Sequence, residues 1–266
     1  TLRGMSVRQK SIETDDITLV VGDAHMDPSQ HNKKGLRRFR ALGRYLKHLR
    51  PRRIVLIGDF ATCDSLSHWD KDKRLKIEGR RYRLDIESAN GALSETRKYA
   101  GGQVWDAMER VYVEGNHENW IEQYVDRNPE VQGILSIKKD VADKFGFKWV
   151  PYKSDWTYKG VSFTHVPINE AGKPIGGANA AAKALAIYHN SVVWGHSHKL
   201  DLACVARHNS PHLNQAINVG CFFEHVDDYA RGSVTSYWRG LVALNHYSHN
   251  RVDVNTFSLK HLLEVY

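Results

Sequence analysis

ITLVVGD, residues 17–23, is a short β-branched run that ends in Gly-Asp, and RIVLIGD, residues 53–59, repeats this pattern. Between them, apolar residues recur every three or four positions from Leu36 to Leu49, which is the period of an amphipathic helix. Pro51 then ends the helical pattern. Strand, helix and strand in this order form a βαβ unit, whose two strands run parallel. These residues therefore predict an α/β fold.

The rest of the chain continues with strand candidates separated by helical stretches. Strands are predicted at 111–113, 161–164, 191–194, 216–219, 240–245 and 252–257, and helices at 119–125, 131–145 and 177–189. Because strands come first and last with helices between them, the pattern predicts an α/β sandwich of two sheets covered by helices. No proline- or serine-rich linker divides residues 17–266, so we expect one domain there, preceded by a flexible N-terminal segment at 1–16.

The composition is that of a folded protein with a basic surface. The 266 residues include 38 lysines and arginines against 30 aspartates and glutamates, which gives a net charge of +8. A hydrophobic fraction of 41% excludes an intrinsically disordered chain. No uncharged apolar run approaches the roughly 18 residues of a membrane span, and no signal-peptide core is present. We therefore expect a cytoplasmic protein without a membrane partner, and the three separated cysteines favour a reducing compartment.

Residues 65–102 are unusually dense in charge, yet an apolar stripe of helical period runs from Tyr82 to Leu93. We expect a helical basic insertion that stands off the sheet. One interpretation is a solvated helix pair with ordinary surface charge. The other is a basic wall in which Arg80, Arg81 and Arg83 hold a polyanion. The same insertion is a candidate for oligomer contacts.

Five predicted strands end in residue types that ligate metals. In chain order, the ends read Gly-Asp-Ala-His at 22–25, Gly-Asp at 58–59, Gly-Asn-His-Glu at 115–118, Thr-His at 164–165 and Gly-His-Ser-His at 195–198. Sites in open α/β sheets form beyond the carboxyl ends of the strands, so these residues should converge. Aspartates, an asparagine and several histidines in one cleft predict a metal site.

The number of candidate ligands indicates two divalent ions. One cation takes about four to six ligands, whereas the sequence offers seven: Asp23, His25, Asp59, Asn116, His165, His196 and His198. The Asp59 carboxylate has two oxygens and can bridge a pair of ions. Oxygen and imidazole ligands without thiolate favour manganese, with iron, zinc or nickel as alternatives, over magnesium or calcium.

The ordered series resembles the calcineurin-like metallophosphoesterases. In that family the series is Asp-x-His, Gly-Asp, Gly-Asn-His-Asp/Glu, His and Gly-His-x-His, and all five motifs occur here in order between residues 23 and 198. The resemblance implies a four-layered α/β sandwich, with two mixed sheets flanked by helices. It also implies a metal-dependent phosphoesterase.

The resemblance further implies a role for each residue. The first ion would be held by Asp23, His25 and His198, and the second by Asn116, His165 and His196. Asp59 would bridge the two ions. His117 would be the catalytic imidazole that faces the leaving group.

The second motif departs from that of the Ser/Thr protein phosphatases in this family. There it continues into an aspartate and then an arginine that grips phosphate. Residues 58–64 read GDFATCD, which has no arginine and places the next aspartate two positions late. This departure argues against a phosphoprotein substrate. It also leaves open whether Asp64 or Glu118 orients His117.

The expected reaction is hydrolysis of a phosphate ester. Two ions can lower the pKa of a bridging water and clamp the attacking and leaving oxygens, while His117 protonates the departing alkoxide. The positive charge favours a phosphodiesterase or nuclease acting on nucleic acid or nucleotides. The alternatives are a small-substrate phosphomonoesterase or cyclic-nucleotide phosphodiesterase, then a protein phosphatase or a non-catalytic metal-binding scaffold. His31 and His225 are further candidates to line the cleft.

Overall fold

The computed structural model describes residues 16–67, 72–206, 213–224, 237–247 and 251–266. Residues 1–15 of the expected flexible segment lie outside the described residues. Four strands of the first sheet are parallel: β1 (Ile17–Val21), β2 (Arg53–Leu56), β3 (Glu109–Val113) and β4 (Lys148–Val150). The parallel arrangement expected for the βαβ unit is confirmed.

The second sheet is built from β5 (Trp156–Tyr158), β6 (Val161–Phe163), β7 (Ser191–Trp194), β8 (Leu200–Ala206) and β9 (Leu213–Val219), in the order β5–β6–β7–β9–β8. Its three inner strands are parallel, and both edge strands are antiparallel. The first sheet is completed by β10 (Gly240–His246) and β11 (Val252–Ser258), in the order β11–β10–β1–β2–β3–β4, with antiparallel pairing of β10 to β1. Both sheets are therefore mixed.

The helices are α1 (Arg37–Leu49), α2 (Arg74–Ile77), α3 (Tyr82–Ala100), α4 (Gly102–Ala107), α5 (Asn116–Arg127), α6 (Ala180–Ile187) and α7 (Leu259–Val265). The single helix expected over 131–145 is wrong. Gly133 adopts a φ of 78° and interrupts the helix, and the residues after it form a π-helical segment at Lys138–Ala142 followed by a 3-10 turn at Asp143–Phe145. Among the described residues, no helix combines the length and apolar character needed to cross a membrane.

Side chains that alternate between the two faces of the first sheet give rise to the layered arrangement. Leu19 and Val21 of β1 pack in a core with Phe39 of α1, whereas Val20 between them packs in a second core with Ile217 of β9. Successive strand side chains point to opposite faces, so the first sheet contacts helices on one face and the second sheet on the other. A third core joins α6 to the outer face of the second sheet. The fold is a four-layered α/β sandwich, as predicted.

Helix α3 does not stand off the sheet. Ile86, Ala89 and Leu93 are buried in the core beside α1 and the first sheet. The apolar stripe seen in the sequence therefore packs against the body of the protein. The charged residues Arg81 and Arg83 stay exposed, because they lie at the beginning of the helix and outside the stripe. Treating residues 17–266 as one domain stays a prediction.

A polar cluster ties the two sheets together near the beginning of β1 and β2. The buried Arg53 pairs with Asp16 at 2.6 Å and with Glu109 at 3.2 Å. Its guanidinium lies 3.5 Å from the ring centroid of Tyr158 in the second sheet. Burial alone would raise the pKa of Asp16, but hydrogen bonds from Lys159, Arg53 and Tyr158 lower it to about 2. Asp16, expected to be flexible, is thus fixed in the fold.

Replacing Asp16 by Asn should lower the free energy of unfolding by about 1 kcal/mol at pH 7, a small value because solvent screens the cluster. A carboxylate with a lowered folded-state pKa stabilises the fold above its unfolded-state pKa, and this contribution is lost as the pH falls. The difference between wild type and variant should therefore shrink from pH 3.8 to about 2. Urea denaturation of the metal-free proteins across this range checks it. A difference that stays constant would contradict the assignment.

Candidate metal centre

Backbone hydrogen bonds hold the first two Gly-Asp loops side by side. The carbonyl oxygen of Asp59 accepts from the amides of Ala24, at 3.1 Å, and His25, at 2.9 Å. These loops follow the parallel neighbours β1 and β2, so Asp23 and Asp59 enter the cleft from adjacent strands. The expected convergence of these two strand ends is therefore set by the backbone as well as by the sheet.

Four candidate ligands have a left-handed backbone conformation. The φ angles are 41° at His25, 46° at Asp59, 66° at His196 and 59° at His198. Residues other than glycine rarely adopt this region, and its strain persists only where the surrounding structure imposes it. Strain of this kind concentrates at functional sites. The backbone therefore supports a specialised role for this cleft, independently of the side chains present.

Asp23, His25 and His198 form the first cluster, and all three are buried. The Nε2 atoms of His25 and His198 are 3.2 Å apart, and His198 Nε2 lies 3.1 Å from Asp23 Oδ2. Apart from His198 Nε2, the buried Asp23 Oδ2 has no polar partner among the described residues. Ligands around an ion with bonds of about 2.1 Å lie about 3 Å from one another. The three side chains therefore fit a shared cation.

The second cluster is centred on His165. Its Nε2 lies 3.0 Å from Asn116 Oδ1, 3.2 Å from His196 Nδ1 and 3.4 Å from Asp59 Oδ2. Its Nδ1 donates to the carbonyl oxygen of Ile57 at 2.9 Å, so the neutral ring, the form that binds a metal, directs its Nε2 lone pair at the cluster. Nε2 and the asparagine oxygen are then both acceptors, and a cation between them satisfies both. These residues also fit a metal ion.

Asp59 lies between the two clusters. Its Oδ2 is 4.0 Å from His25 Nε2 in the first cluster and 3.4 Å from His165 Nε2 in the second. Its Oδ1 accepts a hydrogen bond from the amide of His117 at 2.9 Å. One carboxylate oxygen is thus used to fix the carboxylate, and the other faces both clusters. This is the position that a bridging ligand requires.

Two glycines allow this close approach. Gly58 has a φ of 101°, and a Cβ there would collide with the His165 ring. A Cβ at Gly115 would collide with the carboxylate and the amide of Asp59. A side chain would therefore not fit at either Gly58 or Gly115. Gly58 is also required by its backbone conformation.

The electrostatics of the cleft favour positive charge. Burial alone would lower the pKa of His165, but the Asp59 carboxylate beside the ring outweighs it and raises that pKa to about 10. The neighbouring imidazoles in turn hold the pKa of Asp59 well below its usual range, although burial opposes this. Such buried carboxylates need a compensating cation. A divalent metal ion would supply that charge.

His117 lies beside both clusters, buried at the beginning of α5. Its Nε2 is 4.0 Å from Asp59 Oδ2, and Trp120 covers one face of the ring with centroids 4.0 Å apart. Its Nδ1 donates to the backbone carbonyl of Thr62 at 2.7 Å. This carbonyl, rather than either of the two carboxylates that the sequence offers, fixes the orientation of the ring.

The three candidate arginines differ in their surroundings. Arg80 pairs with Asp64 at 2.5 Å, so this aspartate is engaged with the insertion and does not orient His117. Arg83 pairs with the exposed Glu87 one turn along the helix, at 3.5 Å. Arg81 donates to the carbonyl oxygen of Arg80 and is exposed. Their contact with a substrate stays a prediction.

The two further histidines are less informative. His31 is exposed, and its ring lies so close to Gly91 of α3 that a Cβ there would collide with it. This contact places His31 beside the helix. His225 lies outside the described residues.

Sequence reasoning missed two residues next to the first cluster. Arg38 of α1 is fully buried and donates to the carbonyl oxygens of Ala24 and Gly35, at 3.2 and 3.1 Å. Burial lowers its pKa to about 10. Phe223 packs edge-on against His25, with ring centroids 5.2 Å apart. An arginine within a basic helix gives no sequence signal for such a role, and a Phe-Phe pair gives only a weak one.

Comparison with known proteins agrees with the site. The family model described as calcineurin-like phosphoesterase matches residues 18–200, a span that contains all five strand ends. The chain therefore belongs to the calcineurin-like phosphoesterase family, which in general consists of metal-dependent hydrolases of phosphate esters. Among solved structures, the crystal structure of Chaetomium thermophilum Vps29 is similar, with 11% identity over 91% of this chain and 97% of that chain and a TM-score of 0.36. The search of curated proteins gave no match.

We expect the wild-type chain to bind two Mn²⁺ ions and Asp59→Asn to weaken both, because one carboxylate faces both clusters. Asp64→Asn is the matched control, since Asp64 pairs with Arg80, and it should retain two ions. Elemental analysis and calorimetric titration of metal-depleted protein measure the stoichiometry and affinity. A wild type that is fully active with one ion, or an Asp59→Asn variant that loses only one, would contradict this expectation.

Proposed function

We propose that this chain hydrolyses phosphodiester bonds of nucleic acid or nucleotides with two divalent ions, manganese being the preferred metal. The observation that supports this is the convergence of candidate ligands around Asp59, with His117 Nε2 only 4.0 Å from its carboxylate. When bound, the ions would supply Lewis-acid catalysis and a nucleophilic water at neutral pH. They would be held by Asp23, His25, Asp59, Asn116, His165, His196 and His198.

His117 has the position of a general acid. Its Nδ1 is committed to the Thr62 carbonyl, so Nε2 is the ring atom directed at the cleft. The protonated ring would donate from Nε2 to the oxygen of the departing alkoxide. Trp120 packs on the ring and restricts its rotation. No covalent intermediate with the protein is needed for this reaction.

A polyanionic substrate is supported by charge. The net charge of +8 favours attraction of an extended phosphate chain. Arg81 and Arg83 project into solvent at the beginning of α3. Each neutralised phosphate contributes to affinity through counterion release, which makes binding dependent on salt.

A small-substrate phosphoesterase is the second candidate, and the ion pairs of the insertion favour it. Arg80 is paired with Asp64 and Arg83 with Glu87, so two of the three arginines have partners within the chain. Part of the basic charge is then balanced internally. In this case the arginines stabilise the insertion through their pairs and their aliphatic stems.

A hydrolysis panel with added Mn²⁺ separates the candidates. The substrates are an aryl phosphomonoester, an aryl phosphodiester, cyclic nucleotides, and single- and double-stranded nucleic acid. Preference for nucleic acid or the aryl diester supports the proposal, whereas preference for the monoester or a cyclic nucleotide supports the second candidate. A protein that binds two ions and cleaves none of them would contradict both and indicate a non-catalytic scaffold.

We predict that His117→Ala keeps both ions and slows hydrolysis by about a hundredfold or more, as expected for loss of a general acid. Alkoxide leaving groups depend on protonation more than activated aryl groups do. The loss should therefore be greater for a nucleotide diester than for a nitrophenyl diester. Steady-state kinetics with both substrates measure it. Equal losses would mean that His117 acts by holding the phosphate instead.

We also predict that the double variant Arg81→Gln/Arg83→Gln binds long single-stranded nucleic acid more weakly. The slope of log affinity against log salt should fall by about 0.7 for each phosphate that the variant no longer neutralises. Arg97→Gln/Lys98→Gln, at the other end of the same helix, is the matched control and should leave the slope unchanged. Hydrolysis of a small aryl diester should be unaffected in both. If both variants keep the wild-type slope, the insertion holds no polyanion.

A further inference from the structure

We propose that Glu118 is the positioning residue that fixes Asp59 between the two clusters. This inference rests on the metal site of the proposed function and assigns a role to a carboxylate outside the set of candidate ligands. The sequence left Glu118 as a candidate to orient His117. The structure instead directs its carboxylate to the backbone of the loop that carries Asp59.

The contacts of Glu118 explain why it is not itself a metal ligand. Oε2 accepts from the amides of Asp59, at 2.9 Å, and Gly115, at 3.0 Å. Oε1 accepts from the amide of Ala61, at 3.0 Å, and the hydroxyl of Tyr112, at 2.8 Å. A carboxylate has about four acceptor positions, and these four donors fill them. Glu118 is buried and fully committed to the protein.

The hydrogen bonds from Asp59 and Ala61 bracket the strained position. Asp59 has a φ of 46°, a left-handed conformation that costs free energy in residues other than glycine and that the surrounding structure must stabilise. Glu118 binds the amide of Asp59 and the amide two residues later, so it holds both sides of this turn. The direction of the Asp59 carboxylate depends on that turn.

Glu118 also links this turn to the helix that carries two other site residues. It lies in the first turn of α5, together with Asn116 and His117. The amide of His117 in turn donates to Asp59 Oδ1. One buried carboxylate thus fixes Asp59 relative to Asn116 and His117. A change at Glu118 should therefore reach the metal pair through geometry, without removing a ligand.

Glu114 provides a matched control. It is also buried, lies four residues earlier, and accepts from the amide of Tyr152, at 2.9 Å, and the side chain of Asn119, at 3.2 Å. These partners belong to neither Gly-Asp loop. Glu114→Gln and Glu118→Gln both replace a buried carboxylate by an isosteric amide. In each variant, the new NH₂ group faces an N–H donor that the carboxylate oxygen had accepted from. Only the second disturbs the Asp59 turn.

The experiment uses the 266-residue chain, depleted of metal and reloaded with Mn²⁺. Calorimetry measures the Mn²⁺ affinity, and electron paramagnetic resonance measures the coupling of the two ions. Because Asp59 faces both clusters, Glu118→Gln should weaken binding of both ions by about 10- to 100-fold. It should also replace the signal of the spin-coupled pair by that of isolated Mn²⁺. Glu114→Gln disturbs fewer hydrogen bonds and should keep wild-type affinity and coupling, whatever its fall in melting temperature.

Tyr112→Phe keeps the test decisive if Glu118→Gln does not fold. It removes one of the four donors and leaves the carboxylate in place, so affinity for both ions should fall by a few fold with the pair still coupled. Unchanged affinity in Glu118→Gln, or equal losses in Glu118→Gln and Glu114→Gln, would overturn the inference. If Glu118→Gln does not fold, unchanged affinity in Tyr112→Phe would overturn it. A wild type that binds no metal pair would instead refute the proposed function.

Discussion

Asp59 is the residue on which the arrangement of the site depends, because each of its polar groups faces a different part of the site. Its carbonyl oxygen holds the loop of Ala24 and His25, and its amide is held by Glu118. Its Oδ1 caps the beginning of α5 at the His117 amide, and only Oδ2 faces the candidate ligands. Three segments distant in sequence are therefore located by one strained residue. Its conformational cost is offset by hydrogen bonds on all sides.

The packing of one sheet on the other is the second requirement. Asp23, Asp59 and Asn116 follow strands of the first sheet, whereas His165 and His196 follow strands of the second. The second cluster therefore exists only where the carboxyl ends of both sheets meet. The distances within the second cluster depend on the apolar core that packs one sheet on the other. Along each strand of the first sheet, residues that face this core alternate with residues that face the helices. The fold thus brings oxygen ligands and imidazoles together from separate sheets.

The sequence predicted the layers and the grouping of the candidate ligands, because β-branched runs, their Gly-Asp ends and helical periodicity are local signals. It failed where the outcome depends on partners distant in the chain. The stretch 131–145 has a helical pattern but is broken by Gly133, and α3 packs because α1 offers it an apolar face. Likewise, Thr62 orients His117 through a backbone carbonyl, which no side-chain motif encodes. The left-handed backbone conformation of four candidate ligands likewise has no signal in the amino-acid composition.

Two buried charges of opposite sign complete the support of the Gly-Asp loops. The first loop presents a carbonyl oxygen to Arg38, a cation, and the second presents amides to Glu118, an anion. A buried charge is costly unless hydrogen bonds satisfy it, and here backbone groups supply most of those bonds, with the Tyr112 hydroxyl as a further donor to Glu118. Because these partners are backbone groups and a tyrosine, neither charge needs to pair with a carboxylate or imidazole of the cleft. Asp23 and Asp59 therefore keep their negative charge for the cations that the site would bind.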